Sequence, residues 1–251
     1  MEHEALTRFS RQISLPGIGL DGQKRLQQTR VLVVGAGGLG GPVLQYLAAA
    51  GIGTLGIAEY DRVALSNLNR QILFETGDIG RHKVDAASDT LHALNPDISL
   101  TPHALRADAE NLPTLLTHYD LVADCSDNFA TRYAVHDACY AAGKPLVSAA
   151  AIGFQGQLST YKAYLGAPHP CYHCLSPEPP APEDQPSCAE SGILGTVTGI
   201  LGTWQANEIL KEALSIGQGL SGTLLLLDAL HATVRRIPLP RDPGCAFCML
   251  E

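Results

Sequence analysis

The sequence is poor in positive charge: 17 Lys and Arg residues stand against 25 Asp and Glu, giving a formal net charge of -8 over 251 residues. A protein that follows a nucleic-acid phosphate backbone needs a basic face, so this balance disfavours that class and no nucleic-acid partner is expected. Charge of either sign is scarce, at 17% of residues, and 45% are hydrophobic, which excludes a disordered chain. The length suits one large α/β domain or two small ones, each able to bury a core. An apolar leader is missing as well. Met1-Glu2-His3-Glu4-Ala5-Leu6-Thr7-Arg8 mixes charges without an h-region, so no secretory signal is expected and a reducing, cytoplasmic location is the default. Nor is there an even number of cysteines: seven do not pair off as a secreted disulfide framework does, and at least one thiol should be free.

One stretch without charge, residues 31–58, is long enough to span a membrane, but it holds eight glycines and one proline. It passes from a β-rich start to a helix-like middle and reads as a buried strand, a turn and a helix, with no membrane span. Upstream, residues 4–29 read as two short polar helices divided by Leu15-Pro16-Gly17. Strands are expected over 31–35, 54–59, 98–103, 119–124 and 145–150, with helices over 38–50, 81–94 and 128–142. This alternation implies βαβ units and a doubly wound, mainly parallel sheet of Rossmann type.

After residue 150 the pattern changes. A strand-like run over 154–164 follows too closely for a parallel crossover, so antiparallel pairing is expected. Residues 177–186 hold five prolines and three acids and can form neither helix nor central strand, which makes them a loop between ordered parts. A helix over about 193–213 and strands over 223–229 and 232–237 complete the expected order, so the parallel sheet is extended by antiparallel strands.

Chemistry enters at Gly35-Ala36-Gly37-Gly38-Leu39-Gly40, a G-x-G-x-x-G between an apolar strand and a helix. Glycines let phosphates approach the backbone, and the helix N-terminus offers N–H groups and a positive dipole. Glu59 closes the next strand and can hold ribose hydroxyls of either NAD or ATP, so the turn alone does not separate the two. The following loop, Glu59-Tyr60-Asp61-Arg62-Val63-Ala64-Leu65-Ser66-Asn67-Leu68-Asn69-Arg70-Gln71, and then Lys83 do separate them. An Asn, an Arg and a Lys beside a glycine turn are the inventory for neutralising a triphosphate during transfer at phosphorus. Lone basic residues are otherwise mostly solvated surface charges. Asp124-Cys125-Ser126-Asp127-Asn128 ends a later strand, where ligands collect at the carboxyl edge of a parallel sheet. A carboxylate such as Asp127 suits Mg²⁺ there; Asp127 or Ser126 can equally cap the next helix.

Cys171-Tyr172-His173-Cys174 and Cys245-Ala246-Phe247-Cys248 are two C-x-x-C pairs about 70 residues apart. Together they suit a four-cysteine zinc site that ties the C-terminal segment to the body, with two redox dithiols as the alternative. His169 and His173 are read as bystanders. Cys188 follows the proline-rich loop just before a helix, where a thiol gains thiolate character; a small half-buried residue is the plainer reading. Cys125 and Cys139 fall in strand and helix patterns and are expected in the core.

These motifs together resemble the MoeB and ThiF adenylyltransferases, bacterial relatives of ubiquitin-activating enzymes, from Arg8-Phe9-Ser10-Arg11-Gln12-Ile13 to the last cysteine pair. The resemblance implies adenylation of the C-terminal glycine of a small ubiquitin-like sulfur-carrier protein ending in Gly-Gly, using ATP with Mg²⁺ and releasing pyrophosphate. It implies a nucleotide held by Gly38, Glu59, Asp61, Ser66, Asn67, Arg70, Lys83, Ser126 and Asp127. Catalysis would rest on Arg11, Arg70, Lys83 and Asp127, with Cys188 a further candidate for handling the activated carrier. Asp127 would hold Mg²⁺, and Cys171, Cys174, Cys245 and Cys248 would hold Zn²⁺. Arg11 would reach into the other subunit's site, making a homodimer the working unit. Glu59 departs from the family's usual Asp and lengthens the reach to the ribose.

By the same resemblance, residues 1–29 form a helical arm and 30–251 one adenylation domain, with a nucleotide-binding half over 30–150 and a carrier-binding and zinc half over 151–251. Glu251 lies three residues beyond Cys248, so no rhodanese domain is expected within the chain and sulfur would come from a separate donor such as a cysteine desulfurase or a rhodanese. Thiamine and molybdopterin pathways both stay open. Two readings from other classes compete: an NAD-dependent oxidoreductase, which leaves Asn67, Arg70, Lys83 and the cysteine pairs without a purpose, and a non-catalytic scaffold for ubiquitin-like proteins, against which the intact basic set argues.

Overall fold

The computed structural model describes residues 3–181 and 192–249; residues 182–186 of the proline-rich loop and Cys188 lie outside them. Eight strands form one sheet in the order β3-β2-β1-β4-β5-β6-β7-β8. The parallel part consists of β1 (Arg30–Val34), β2 (Thr54–Ala58), β3 (Ser99–His103), β4 (Leu121–Asp124) and β5 (Leu146–Ile152). Its order, 3-2-1-4-5, is that of a doubly wound dinucleotide-type fold. Antiparallel β6 (Gln155–Tyr161), β7 (Thr223–Asp228) and β8 (Thr233–Pro238) extend it, as expected from the short 152–155 connection.

Strand β1 shows why an unbroken apolar run was needed. Val31 and Val33 belong to one buried cluster and Leu32 and Val34 to the cluster on the opposite face. A parallel strand covered on both faces needs apolar side chains at every position. The first face is covered by α4 (Gly40–Ala50), α5 (Lys83–Leu94) and α9 (Gly195–Leu214), through Leu44, Leu47, Leu91, Leu201 and Ile209. The second is covered by α6 (Leu112–Leu116) and α7 (Phe129–Ala141), through Leu112, Leu116, Tyr133 and Val135. At the edge of the sheet, β8 is exposed along its whole length and carries Arg235 and Arg236, charges that discourage further strand pairing.

Helix ends follow from local chemistry. Helix α4 stops at Gly51, which takes φ +81° as a left-handed C-cap, and α5 stops before Asn95-Pro96, where the proline disfavours helical geometry at Asn95. The cap of α7 differs from expectation: neither Ser126 nor Asp127 serves, because the Asn128 side chain accepts from Thr131 N at 2.9 Å. The N-terminal arm also differs, forming three helices, α1 (His3–Arg8), α2 (Ser10–Ile13) and α3 (Gly19–Gln28). Phe9 divides the first two because it is pulled into the body; at 4% exposure its ring lies against Gly51. Short α6 and α8 (Tyr172–Leu175) left too little periodic signal to be read in advance. Among the described residues no helix is long and apolar enough to cross a membrane.

Candidate functional site

Register places the ends of β1 and β4 side by side, Val34 opposite Asp124. Their loops diverge there, which is the switch point of the sheet and the usual mouth of a ligand crevice. A cavity of about 740 Å³ opens at this point. On one side the Gly35–Gly40 turn leads into α4, whose first turn has no side-chain cap. The turn cannot be built from other residues: a Cβ on Gly40 would stand 1.9 Å from the Gly35 carbonyl oxygen, and Gly35 itself has φ +92° with Cys125 O close by. Uncapped N–H groups therefore face the cavity, as an anion site requires.

Gly38, Glu59, Asp61, Arg70 and Lys83 all line this cavity, and so do Ser126 and Asp127 from the facing loop. Glu59 is buried and bent back on its surroundings. One carboxylate oxygen accepts from Ala36 N at 3.0 Å, and the other from Tyr60 N and Asp61 N at 2.9 Å each. It thus braces the glycine turn against the 59–61 loop.

Lys83 is 4% exposed, and its ammonium lies 3.1 Å from the half-exposed Asp61 carboxylate. The loop and helix are laced together at this point, since Lys83 N donates to Asp61 O and Val63 N to Arg81 O, both at 2.9 Å. A cation buried so deeply at a cavity wall is costly unless something negative shares the space.

Arg70 Nη1 donates to Ser66 O at 2.9 Å and to Asn69 Oδ1 at 3.2 Å, which curls the loop around its guanidinium. Asp127 is exposed, with Asn128 Nδ2 3.4 Å from its Oδ1. Beneath it, Asp124 is fully buried and accepts from Ser126 Oγ at 2.6 Å, Ser148 Oγ at 2.7 Å and Arg132 Nε at 3.2 Å. Burial opposes the charge on Arg132, but Asp124 alongside outweighs it and holds the guanidinium above its ordinary pKa. Burial also pushes the Cys125 thiol well up, and Cys139 is 1% exposed, so both are core residues as expected.

Not every expected residue meets at the cavity. Ser66 and Asn67 do not line it; Asn67 Oδ1 instead accepts from Ala64 N at 3.3 Å in a short 3-10 turn. Arg11 sits exposed on α2, away from this cavity. Two wall residues escaped the sequence reading, buried Gln71 and Thr198 near the start of α9. Gln71 ends the loop motif that carries Asn67 and Arg70 but has no assigned role there, and Thr198 lies in no motif, since packing brings it to the glycine turn.

The two cysteine pairs do meet. Cys171 Sγ lies 3.6 Å from both Cys174 Sγ and Cys245 Sγ, and Cys174 Sγ lies 3.7 Å from Cys248 Sγ. All four sulfurs are within 4.8 Å of one another. Four thiolates bonded at 2.3 Å to one tetrahedral ion would be about 3.8 Å apart.

His136, Asp137 and His173 form a second cluster beside them, but its polar atoms are already used. His136 Nδ1 bonds Asp137 Oδ1 at 2.8 Å, its Nε2 accepts from Tyr172 N at 3.0 Å, and His173 Nε2 bonds the same Asp137 oxygen at 2.9 Å. The His173 ring stacks on Phe247 at 4.3 Å, so it packs the cysteine knuckle and leaves the sulfurs to act alone.

Comparison with known proteins adds three findings. A model described as the ThiF family matches residues 9–247. Among curated proteins, the chain is 48% identical over 247 residues to "Sulfur carrier protein adenylyltransferase" of Thermus thermophilus, covering 98% of this chain and 91% of that protein. It is 49% identical over 249 residues to "Adenylyltransferase and sulfurtransferase MOCS3" of Sus scrofa, covering 99% of this chain but only 54% of that protein, so it spans about half the length of such relatives. Among solved structures, E. coli MccB with ATP has a TM-score of 0.81 at 22% identity, covering 96% of this chain and 74% of that one. PaaA has a TM-score of 0.80 at 24% identity, covering 96% and 76%. Both are likenesses of fold.

Proposed function

The chain belongs to the ThiF family, and from that membership together with the cavity we propose that it adenylates the C-terminal glycine of a small ubiquitin-like sulfur-carrier protein, using ATP and releasing pyrophosphate. The observation that carries this reading is the buried Lys83 ammonium, held at the cavity wall across from an uncapped glycine turn and beside Arg70. A nicotinamide enzyme, which transfers a hydride and not a phosphoryl group, has less need of such a pair of cations.

In the reaction, a carboxylate oxygen of the carrier's last glycine forms a bond to the α-phosphorus, and the bond from that phosphorus to the β-phosphate oxygen breaks. The attacking carboxylate is repelled by the triphosphate, so the barrier is electrostatic and no protein nucleophile is needed. Lys83 and Arg70 neutralise the phosphate oxygens and the glycine-turn N–H groups orient them, while Glu59, whose carboxylate already accepts from Ala36, Tyr60 and Asp61 N, would have only its remaining lone pairs for the ribose. Ser126 lines the cavity beside Asp127, and Ser66 and Asn67 belong to the loop that carries Arg70. Asp127 would hold Mg²⁺, which when bound supplies further neutralisation of the phosphate charge.

Zn²⁺ fits the four sulfurs in spacing and in chemistry. Four thiolates leave no open coordination position, so its role is structural and ties 245–248 to α8. In a homodimer, Arg11 of one protomer would complete the other's site. Sulfur would then come from a separate donor in the cytoplasm. Cys188 is a candidate for handling the activated carrier.

The test is ATP–pyrophosphate exchange dependent on added carrier protein. Arg70→Ala and Lys83→Ala should each fold and lose about a hundredfold or more of the exchange, the scale of removing one preorganised charge-stabilising group. Near wild-type exchange in both variants would overturn the proposal.

A further inference from the structure

Gln71 is 5% exposed, lines the cavity next to Arg70, and keeps its side-chain Oε1 buried without a hydrogen-bond partner. Its backbone is fully used, with N–H donating to Asn67 O at 2.9 Å and its carbonyl accepting from Phe74 N at 3.1 Å. The side chain is therefore not needed to hold the loop's shape. An unpaired buried amide oxygen destabilises a fold, and a Leu or Met of similar size would fill the same space without that defect. Such an atom calls for a reason.

The other end of the amide supplies one. Nε2 lies 3.6 Å from where a Cβ on Gly37 would stand, so it overhangs the glycine turn. From the opposite flank Thr198 Oγ1 approaches Gly38, 3.0 Å from the equivalent point, and its hydroxyl is already committed to Gly195 O at 2.7 Å. Gln71 Nε2 is thus an amide donor placed over a turn that runs into α4 without a side-chain cap at the helix start. Arg70 and Lys83 line the same space. A ligand rich in acceptor oxygens would take hydrogen bonds from the amide Nε2 and the two cations at once, although it offers nothing to Oε1, which is itself an acceptor.

We infer that Gln71 contacts the nucleotide phosphates: its Nε2 donates a hydrogen bond to a non-bridging oxygen of the phosphate chain lying on the Gly35–Gly40 turn. This rests on ATP as the nucleotide of the proposed reaction and adds a neutral, orienting donor to its two cations. Because the group is uncharged, its contribution is distinguishable from theirs. Replacing it by a carboxylate reverses the interaction instead of merely removing it.

Wild-type chain and the Gln71→Leu, Gln71→Asn and Gln71→Glu variants are compared for equilibrium binding of ATP and of adenosine, with thermal melting recorded for each. Gln71→Glu should weaken ATP by about ten- to a hundredfold, and Gln71→Leu by about tenfold. Adenosine, which lacks phosphates, should bind all variants alike, and Gln71→Leu should melt no lower than wild type. If Gln71→Glu fails to fold, Gln71→Leu and Gln71→Asn decide the matter. Folded variants that bind ATP as wild type does, or that lose adenosine as much as ATP, overturn the inference while leaving the adenylation reading in place. A wild-type chain that binds adenosine but not ATP overturns both.

Discussion

Arg132 and Asp124 form an ion pair inside the sheet edge, Nε to Oδ2 at 3.2 Å, with 8% and 0% of their side chains exposed. The same guanidinium donates to the carbonyl of Ser126 at 2.9 Å, so the pair ties the end of β4 to the loop that carries Asp127. Asp127 is consequently presented at the cavity by a rigid support although it is itself exposed.

Arg132→Met removes the cation and leaves the Asp124 carboxylate buried with only hydroxyl and peptide donors. The expected loss is about 3–5 kcal/mol of stability, as for breaking a buried pair from one side. Urea denaturation measures it. Arg132→Met combined with Asp124→Leu should recover part of the loss, and a single variant within about 1 kcal/mol of wild type would show that the pair carries little.

Metal analysis of the purified chain should return about one zinc per protomer, as one tetrahedral four-thiolate site holds one ion. Cys248→Ser, or a strong chelator under mild denaturant, should release it and lower the melting temperature. Limited proteolysis should then cut first in the 239–249 segment, which loses its tie to Cys171 and Cys174. A fully folded, metal-free preparation with unchanged melting would refute the site.

Gly40→Ala places a methyl group 1.9 Å from the Gly35 carbonyl oxygen, a backbone atom that cannot rotate away. The turn must open. The expected result is loss of ATP binding, with destabilisation of about 2 kcal/mol or more from the strain. Gly77, where a Cβ meets nothing within 4 Å, is the control, and Gly77→Ala should bind ATP normally. Equal behaviour of the two variants would contradict the close-packed turn.

His103 predicts a pH dependence. Burial first, then neighbouring His118, lower its pKa below the ordinary value, and its Nε2 bonds Tyr119 Oη at 2.7 Å. The unfolded chain then binds the proton more readily than the folded one. The stability His103 contributes is fully present above about pH 6.5 and is lost as the pH falls through its folded value. Unfolding free energies at descending pH should decline more steeply for wild type than for His103→Gln, and NMR should show the ring titrating low. A ring titrating above its unfolded value would reverse the argument.

Much of this was legible in advance where chemistry and chain position coincide. Val31-Leu32-Val33-Val34 could only be a strand buried on both faces, and Gly35 to Gly40 a turn that ends in an open helix N-terminus. The short link into β6 forbade a parallel crossover. Less legible were the places where a contact overrides the local pattern. Phe9 breaks the arm into three helices because its ring is drawn under Gly51, and Asn128 takes the cap of α7 because Ser126 is already committed to Asp124.

The sequence by itself determined the parts: a glycine turn suited to phosphates, cations downstream of it, carboxylates at strand ends and two cysteine pairs, since each is set by residue type and short-range spacing. Tertiary structure decided which parts meet. It placed Lys83 and Arg70 at the cavity but left Ser66 and Asn67 out of its lining. It closed two distant cysteine pairs to sulfur separations of 3.6–3.7 Å, and it hung Gln71 over Gly37. The physical reason is that these meetings come from packing across the sheet's switch point, where the approach of a helix or loop depends on every side chain between them and on no local pattern.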